Sequence, residues 1–206
     1  MTRCLLLLLL LTGCTPGLQG DPPVLPTDDD DDAVGDDDDD DVDLTGACDQ
    51  VGGQSTLVGA CIRMDAQDGL VSLDEVAGGI QIPYTVIVEQ PIEGVVPLPQ
   101  DAGNCAAPGP SGLIVFERLQ GGGQVYCVCD EGLCPGPDTT PRTVPSGATE
   151  RIFEWTGRNW TGPSDTNFPL GDPFPAGIYT LSVSAQGRVN GENFVIGNTF
   201  TVTLSE

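Results

Sequence analysis

The fold class is decided by one segment, Ile80-Gln81-Ile82-Pro83-Tyr84-Thr85-Val86-Ile87-Val88-Glu89. Apolar residues recur at every second position of it, at Ile80, Ile82, Tyr84, Val86 and Val88. Because successive side chains of a strand point to opposite faces, this period of two predicts a half-buried β-strand.

Similar segments follow along the chain. Residues 113–119 predict a strand, Gln120-Gly121-Gly122-Gly123 a turn, and residues 124–129 the returning strand of a hairpin. Further strands are predicted at 151–156, 178–185 and 194–204, with a turn over 186–193 and weaker strand candidates at 56–64 and 70–76. Glycine-rich turns between short strands predict an all-β fold, an antiparallel β-sandwich spanning residues 48–206.

Three motifs carry a resemblance to a known family: Val144-Pro145-Ser146-Gly147-Ala148, Phe153-Glu154-Trp155-Thr156-Gly157 and Pro175-Ala176-Gly177-Ile178-Tyr179-Thr180-Leu181. Together they resemble bacterial immunoglobulin-like sandwiches, and residues 79–185 are similar to the BsuPI-type intracellular proteinase inhibitor domain and to the flagellar-hook-cap immunoglobulin-like module. The resemblance implies that Trp155 fills the core, that Gly157 turns the chain and that Tyr179 begins a strand. The chain departs from the pattern in its cysteines, its export signal and a long loop over residues 159–174.

Composition excludes several function classes. The chain has 31 acidic residues against 7 basic ones, all arginine, and its net charge is −24. Such a polyanion is not expected to bind nucleic acid. The absence of histidine and lysine excludes Ser-His and Cys-His nucleophile pairs, His-ligated zinc and Schiff-base chemistry.

The amino terminus predicts export and lipidation. Arg3 precedes seven leucines, Leu5 to Leu11, which are too few to span a bilayer but typical of a signal peptide, assigned to residues 1–13. Leu11-Thr12-Gly13-Cys14 resembles the bacterial lipobox, which implies that Cys14 is acylated. Because Thr15 rather than Asp follows Cys14, the resemblance favours the outer membrane or cell surface.

Residues 14–47 are predicted to be a disordered tether that begins at the acylated cysteine. The tether contains the two acidic runs 28–32 and 36–41 and has little to bury. A low-affinity calcium site is the alternative, although an all-Asp run lacks the glycine turn that organises calcium ligands.

Six cysteines of the mature domain predict disulfides: Cys48, Cys61, Cys105, Cys127, Cys129 and Cys134. Proximity suggests Cys48 with Cys61. Cys127 and Cys129 share a strand face and are expected to pair with Cys105 and Cys134 rather than with each other. A zinc site built from these four residues is the weaker alternative, because their spacing is not that of a CxxC pair.

No cofactor, metal or catalytic residue is assigned. Residues 68–75 resemble half of an EF-hand loop, but Met64 and Ala66 would occupy the first ligand positions, so an acidic β-turn is expected instead. The remaining carboxylates permit a hydrolase pair as a low-weight alternative.

The loop over residues 157–174 is the predicted binding surface. Its candidate residues are Arg158, Asn159, Trp160, Asp165, Asn167 and Phe168. Tryptophan, arginine and amides in a long connection are typical of recognition, although Trp160 and Phe168 could instead fold back as a lid over the sandwich.

The expected function is a membrane-anchored envelope lipoprotein. Its sandwich is predicted to be a non-enzymatic structural or binding module with a protein partner and no small-molecule cofactor. The alternative is an extracellular proteinase inhibitor.

Overall fold

The computed structural model describes residues 42–100, 107–127, 139–161 and 170–206, and in these residues the predicted all-β, antiparallel sandwich is confirmed. The elements are β1 (Gln54–Ser55), β2 (Ala60–Met64), β3 (Gly69–Ser72), α1 (Leu73–Ala77), β4 (Ile80–Val88), β5 (Ile92–Leu98), β6 (Val115–Gly121), β7 (Gln124–Cys127), β8 (Arg142–Val144), β9 (Gly147–Trp155), β10 (Arg158–Trp160), β11 (Leu170–Pro173), β12 (Gly177–Val189) and β13 (Glu192–Ser205).

The larger sheet is built on a long hairpin of β12 and β13. The two strands pair from Gly177 opposite Leu204 to Val189 opposite Glu192. On its other side β12 pairs with β6 and β5, and β13 pairs with β1 and, in parallel, with β3. The turn predicted over 186–193 is wrong in extent: only Asn190 and Gly191 form it, both at positive φ, as a two-residue type I′ hairpin requires.

The smaller sheet has the order β2-β4-β9, with the strand of the deciding segment in its centre. β4 pairs with β9 along its whole length. After β4 the chain crosses to the larger sheet, where β5 pairs with both β12 and β8. It returns to the smaller sheet after β8, at the same corner, to form β9. Pro91 and Pro145 lie at that corner, in the connections where no strand pairing has to continue.

Side chains from both sheets form one hydrophobic core. On β12, alternation holds as predicted, with Tyr179, Leu181, Val183 and Ala185 buried. The hydroxyl of Tyr179 donates to the carbonyl of Pro175 at 2.7 Å. A tyrosine near the start of a strand whose hydroxyl hydrogen-bonds to the backbone a few residues earlier is also the tyrosine corner of immunoglobulin sandwiches.

The predicted disulfide between Cys48 and Cys61 is confirmed, with the two Cα atoms 5.7 Å apart. Cys61 lies opposite Ile87 on the outer face of the smaller sheet, where both residues are buried. The disulfide therefore links the segment around Cys48, through which the chain enters the domain, to β2 on that outer face. Cys105, Cys129, Cys134 and the side chain of Cys127 lie outside the described residues, so their pairing stays a prediction.

The expectation for residues 68–76 is only partly confirmed: the strand predicted from residue 70 forms, but it ends early. Instead of an acidic turn and a strand to Val76, β3 ends at Ser72 and α1 begins at Leu73. Ser72 and Glu75 form a reciprocal capping box: the backbone N–H of Glu75 donates to the Ser72 hydroxyl, and the backbone N–H of Ser72 donates to the Glu75 carboxylate. This capping stabilises a short helix whose Val76 is buried in the core.

Residues 1–41, which include the predicted signal peptide, Cys14 and most of the tether, lie outside the described residues. In the part of the chain that is described, no helix is long and apolar enough to cross a membrane.

Candidate functional site

The predicted recognition loop contains a small hairpin. β10 and β11 pair antiparallel, with Arg158 opposite Pro173 and Trp160 opposite Leu170. The exposed guanidinium of Arg158 donates from Nη1 to the carbonyl of Gly171 at 3.1 Å. The base of the long loop is therefore ordered by the same strand pairing that builds the two sheets.

The other predicted residues of this loop divide into two groups. Asn159 Oδ1 accepts a hydrogen bond from the backbone N–H of Trp160 at 2.9 Å, and the Trp160 side chain is half-buried. The remaining three lie outside the described residues: Asp165, Asn167 and Phe168.

Trp160 packs on the fold through Tyr126 of β7. Their rings are stacked, with centroids 6.0 Å apart and planes at 18°. The Tyr126 ring in turn contacts Phe153 edge-on at 6.0 Å and Trp155 at 6.1 Å. One face of Trp160 is thus used in packing, whereas Phe168, the other residue of the lid hypothesis, lies outside the described residues.

Trp155 holds the start of the hairpin. Its indole N–H donates to the carbonyl of Arg158 at 3.0 Å, and its ring meets Phe174 edge-on at 5.0 Å. Gly157, between them, has φ +72°, and a Cβ there would lie 2.8 Å from Cγ1 of Val76. The motif residues Trp155 and Gly157 therefore act as the core residue and the turn that the resemblance implied.

A cleft of about 590 Å³ opens beside these rings. Its volume is in the usual range of roughly 300–1,000 Å³ for ligand sites. Its described lining comes from the end of α1, the start of β4, β7, the end of β9 and the hairpin: Gly78, Gly79, Gln81, Tyr126, Glu154, Trp155, Thr156, Trp160 and Leu170.

Two exposed polar side chains of the cleft are paired with each other. Gln81 and Glu154 are cross-strand neighbours on β4 and β9, and Gln81 Nε2 donates to Glu154 Oε1 at 2.9 Å. Among the described lining residues, only Glu154 is charged at neutral pH. A carboxylate beside aromatic rings suits a cationic or N–H-bearing group, which can pair with the acid and contact a ring face.

A second groove, of about 500 Å³, lies beside Tyr84. Asp65 lines it, and both carboxylate oxygens of Asp65 are engaged: Oδ1 with Arg63 Nε at 2.6 Å and Oδ2 with the hydroxyl of Thr85 at 2.6 Å. This is the geometry of a structural ion pair. Glu150 also lines the groove, and the carboxylate hydrolase stays an untested alternative.

The carboxyl group of Glu117 lies between the two sheets. The hydroxyl of Tyr84 on β4 donates to Glu117 on β6 at 2.5 Å and so joins the two sheets. Burial raises the pKa of Glu117, although the Tyr84 hydrogen bond and the nearby Arg151 oppose that shift. Burial, followed by the charge of Glu117, raises the pKa of Tyr84, which therefore stays a hydrogen-bond donor.

No protein-family model matches the chain, and no curated protein matches it significantly.

The sequence patterns do not identify Gln81, Tyr126 and Glu154 as residues of the candidate site. Gln81 and Glu154 occupy outward positions of period-two strands, where any polar residue is expected. Only the register of β4 with β9 brings the two together, and the alternation of Glu154 with buried Phe153 and Trp155 was the available signal.

Proposed function

We propose that this chain is a bacterial envelope lipoprotein with an acylated Cys14, a tether over residues 14–47 and a non-enzymatic binding module. The lipobox-like Leu11-Thr12-Gly13-Cys14 supports the anchor, and Thr15 after it supports the outer membrane or cell surface. The Cys48–Cys61 disulfide supports an oxidising compartment, because cytosolic thiols are kept reduced.

The observation that carries the binding role is the cleft. It combines three aromatic side chains with the Gln81–Glu154 pair, which strand register places side by side. Preorganised polar groups beside aromatic rings reduce the ordering cost of binding.

The proposed partner is a protein segment that presents a cationic side chain. The module is acidic as a whole, since residues 44–206 hold 18 acids and 6 arginines, a net charge of −12. Its field would attract a basic segment from solution. At the cleft, Glu154 would pair with the cation while the half-buried Trp160 supplies apolar contact.

The anchor is tested by membrane fractionation of cells that express Cys14→Ser. The wild-type chain is expected in the membrane pellet and the variant in the soluble fraction. Cys4→Ser, in the predicted signal peptide, is the matched control and is expected to stay in the pellet. Cys14→Ser in the pellet would contradict the proposed anchor.

The cleft is tested by photo-crosslinking in intact cells. A photoreactive residue replaces Leu170, which lines the cleft and is 40% exposed. Capture of a protein is expected to fall in a Glu154→Gln background and to persist with Glu192→Gln, an exposed acid on the β12–β13 hairpin. Capture that is insensitive to Glu154→Gln would contradict the role of the cleft, and capture of a protease would favour the inhibitor alternative.

A further inference from the structure

Strand β9 is an edge strand of the smaller sheet, because in the order β2-β4-β9 only β4 pairs with it among the described residues. The two strands pair over nine residues without a register shift, and β9 contains no proline. Bulges and prolines are common features that keep an edge strand from accepting another strand. The free edge of β9 is therefore long and regular enough to accept one.

The backbone groups on this edge follow from the pairing of β4. The carbonyl of Pro83 accepts the backbone N–H of Asp65 at 3.1 Å, so the backbone of Pro83 bonds on the side away from β9. Pro83 lies opposite Ile152, and hydrogen-bonded and non-hydrogen-bonded pairs alternate in an antiparallel ladder. The N–H and C=O groups of Glu150, Ile152 and Glu154 therefore point to the free edge. Among the described residues, these backbone groups have no hydrogen-bond partner.

The side chains of the same three residues form the outer row of β9. All three are exposed, Ile152 by 51%. At about 3.4 Å per residue, Glu150 and Glu154 lie about 14 Å apart with Ile152 midway between them. No basic side chain shares this row, because Arg151 belongs to the inward row and Arg63, across β4, is held in an ion pair. The row is therefore acidic, with an apolar centre.

The groove beside Tyr84 and the cleft beside Trp160 both meet β9 along this row. Glu150 and Ile152 line the groove of about 500 Å³, and Glu154 lines the cleft of about 590 Å³. A segment laid along the free edge would therefore place its alternate side chains at both cavities.

We propose that the partner binds as an added antiparallel strand along the free edge of β9, with basic side chains opposite Glu150 and Glu154 and an apolar one opposite Ile152. This inference rests on the proposed function and gives its cationic partner a binding mode. Backbone hydrogen bonds to an edge strand supply affinity, and side chains directly opposite on one face supply specificity. A second copy of the chain would bring further acids to an acidic row, so a basic strand fits the edge better than self-pairing does.

The test uses two synthetic peptides of the sequence Thr-Arg-Thr-Val-Thr-Arg-Thr that differ only in the position of one N-methyl group. In the first peptide the methyl group is on the threonine after the valine, whose N–H would point away from β9. In the second it is on the valine, whose N–H would donate to the edge. Because both peptides carry the same charge, their attraction to the acidic runs 28–32 and 36–41 is the same.

Each peptide is titrated to about 1 mM into the isotope-labelled full chain carrying Cys14→Ser, and backbone amide NMR signals are followed. The first peptide is expected to shift the signals of Glu150, Ile152 and Glu154. The second should bind at least about tenfold more weakly, because it loses a hydrogen bond and places a methyl group against the edge.

Glu150→Gln should weaken binding of the first peptide about two- to fivefold, as expected for loss of an exposed ion pair. Glu192→Gln, an exposed acid on β13 of the larger sheet, is the matched control and should leave the affinity unchanged. The same spectra show whether each variant is folded.

Equal binding of the two peptides would overturn strand addition, as would the absence of shifts on β9. Shifts confined to Glu154 and the Trp160 indole, and unaffected by methylation of the valine, would also overturn it. That last result would leave the cleft as the binding site, and crosslinking from Leu170 tests the cleft separately.

Discussion

Gly157→Ala tests whether helix α1 packs against the turn that leads into the cleft. Gly157 has φ +72°, and an added Cβ would lie 2.8 Å from Cγ1 of Val76, which is 2% exposed. The left-handed backbone costs a residue with a Cβ about 1–2 kcal/mol. The contact adds about 1–3 kcal/mol, because β-branched Val76 is stiff and buried and cannot rotate away.

Gly94→Ala separates these two terms. Gly94 has φ +71°, nearly the same as Gly157, but nothing lies within 4 Å of its Cβ position. Gly94→Ala should therefore lower the free energy of unfolding only by the backbone cost of about 1–2 kcal/mol, whereas Gly157→Ala should lower it by about 2–5 kcal/mol in total. Urea denaturation with linear extrapolation measures both losses.

A double-mutant cycle identifies the contacting residue. Adding Val76→Ala to Gly157→Ala should recover about 1–3 kcal/mol relative to the sum of the two single losses, because the shortened side chain makes room for the new methyl group. Equal losses for Gly157→Ala and Gly94→Ala, together with additive behaviour of Val76→Ala, would refute the packing argument.

Three further predictions concern stability. Replacing both Cys48 and Cys61 by Ala should cost about 3 kcal/mol in urea denaturation, because the disulfide closes a loop with a sequence separation of 13; an unchanged free energy of unfolding would contradict this. Tyr179→Phe removes the hydrogen bond to Pro175 and should cost about 1 kcal/mol by the same assay, and a stabilised variant would contradict the corner's role. Burial raises the pKa of Glu117, so its contribution to stability is greatest below the ordinary pKa of glutamate and is lost as pH rises through the folded value. As the pH is raised from about 4 to about 8, the melting temperature of the wild type should therefore fall relative to that of Glu117→Gln. A difference between the two melting temperatures that does not change with pH would contradict the raised pKa of Glu117.

The strands were predictable from the sequence wherever one face is buried. On β12 and β13, period-two alternation alone identified the inward residues from Tyr179 to Ala185 and from Phe200 to Leu204. Alternation could not place the strand ends. β12 continues to Val189, with polar residues on its outer face. The predicted turn over 186–193 contains the Asn190-Gly191 pair but is longer than the two-residue turn that forms.

Helix α1 was missed for a local reason. The run 70–76 is short and apolar enough to suggest a strand, and five helical residues are too few to establish a helical period. The Ser72–Glu75 capping box was the available signal, and it decides the boundary because it supplies the first backbone N–H groups with partners.

The candidate site was predictable in part. Trp160 and Arg158 stood out by composition, and Arg158 does order the hairpin. The cleft itself depends on non-local register, since Gln81, Tyr126 and Glu154 come from three strands. Pairing of distant strands is set by the whole core rather than by any one segment, so the grouping could not be obtained from local patterns.

The central claim, that the module is displayed from a lipid anchor, is tested most directly by intact-mass spectrometry of the mature chain purified from the membrane fraction. The account predicts a chain that begins at Cys14 and carries the mass of a lipid modification on that residue. An unmodified chain, or a mature chain that begins at another residue, would contradict it.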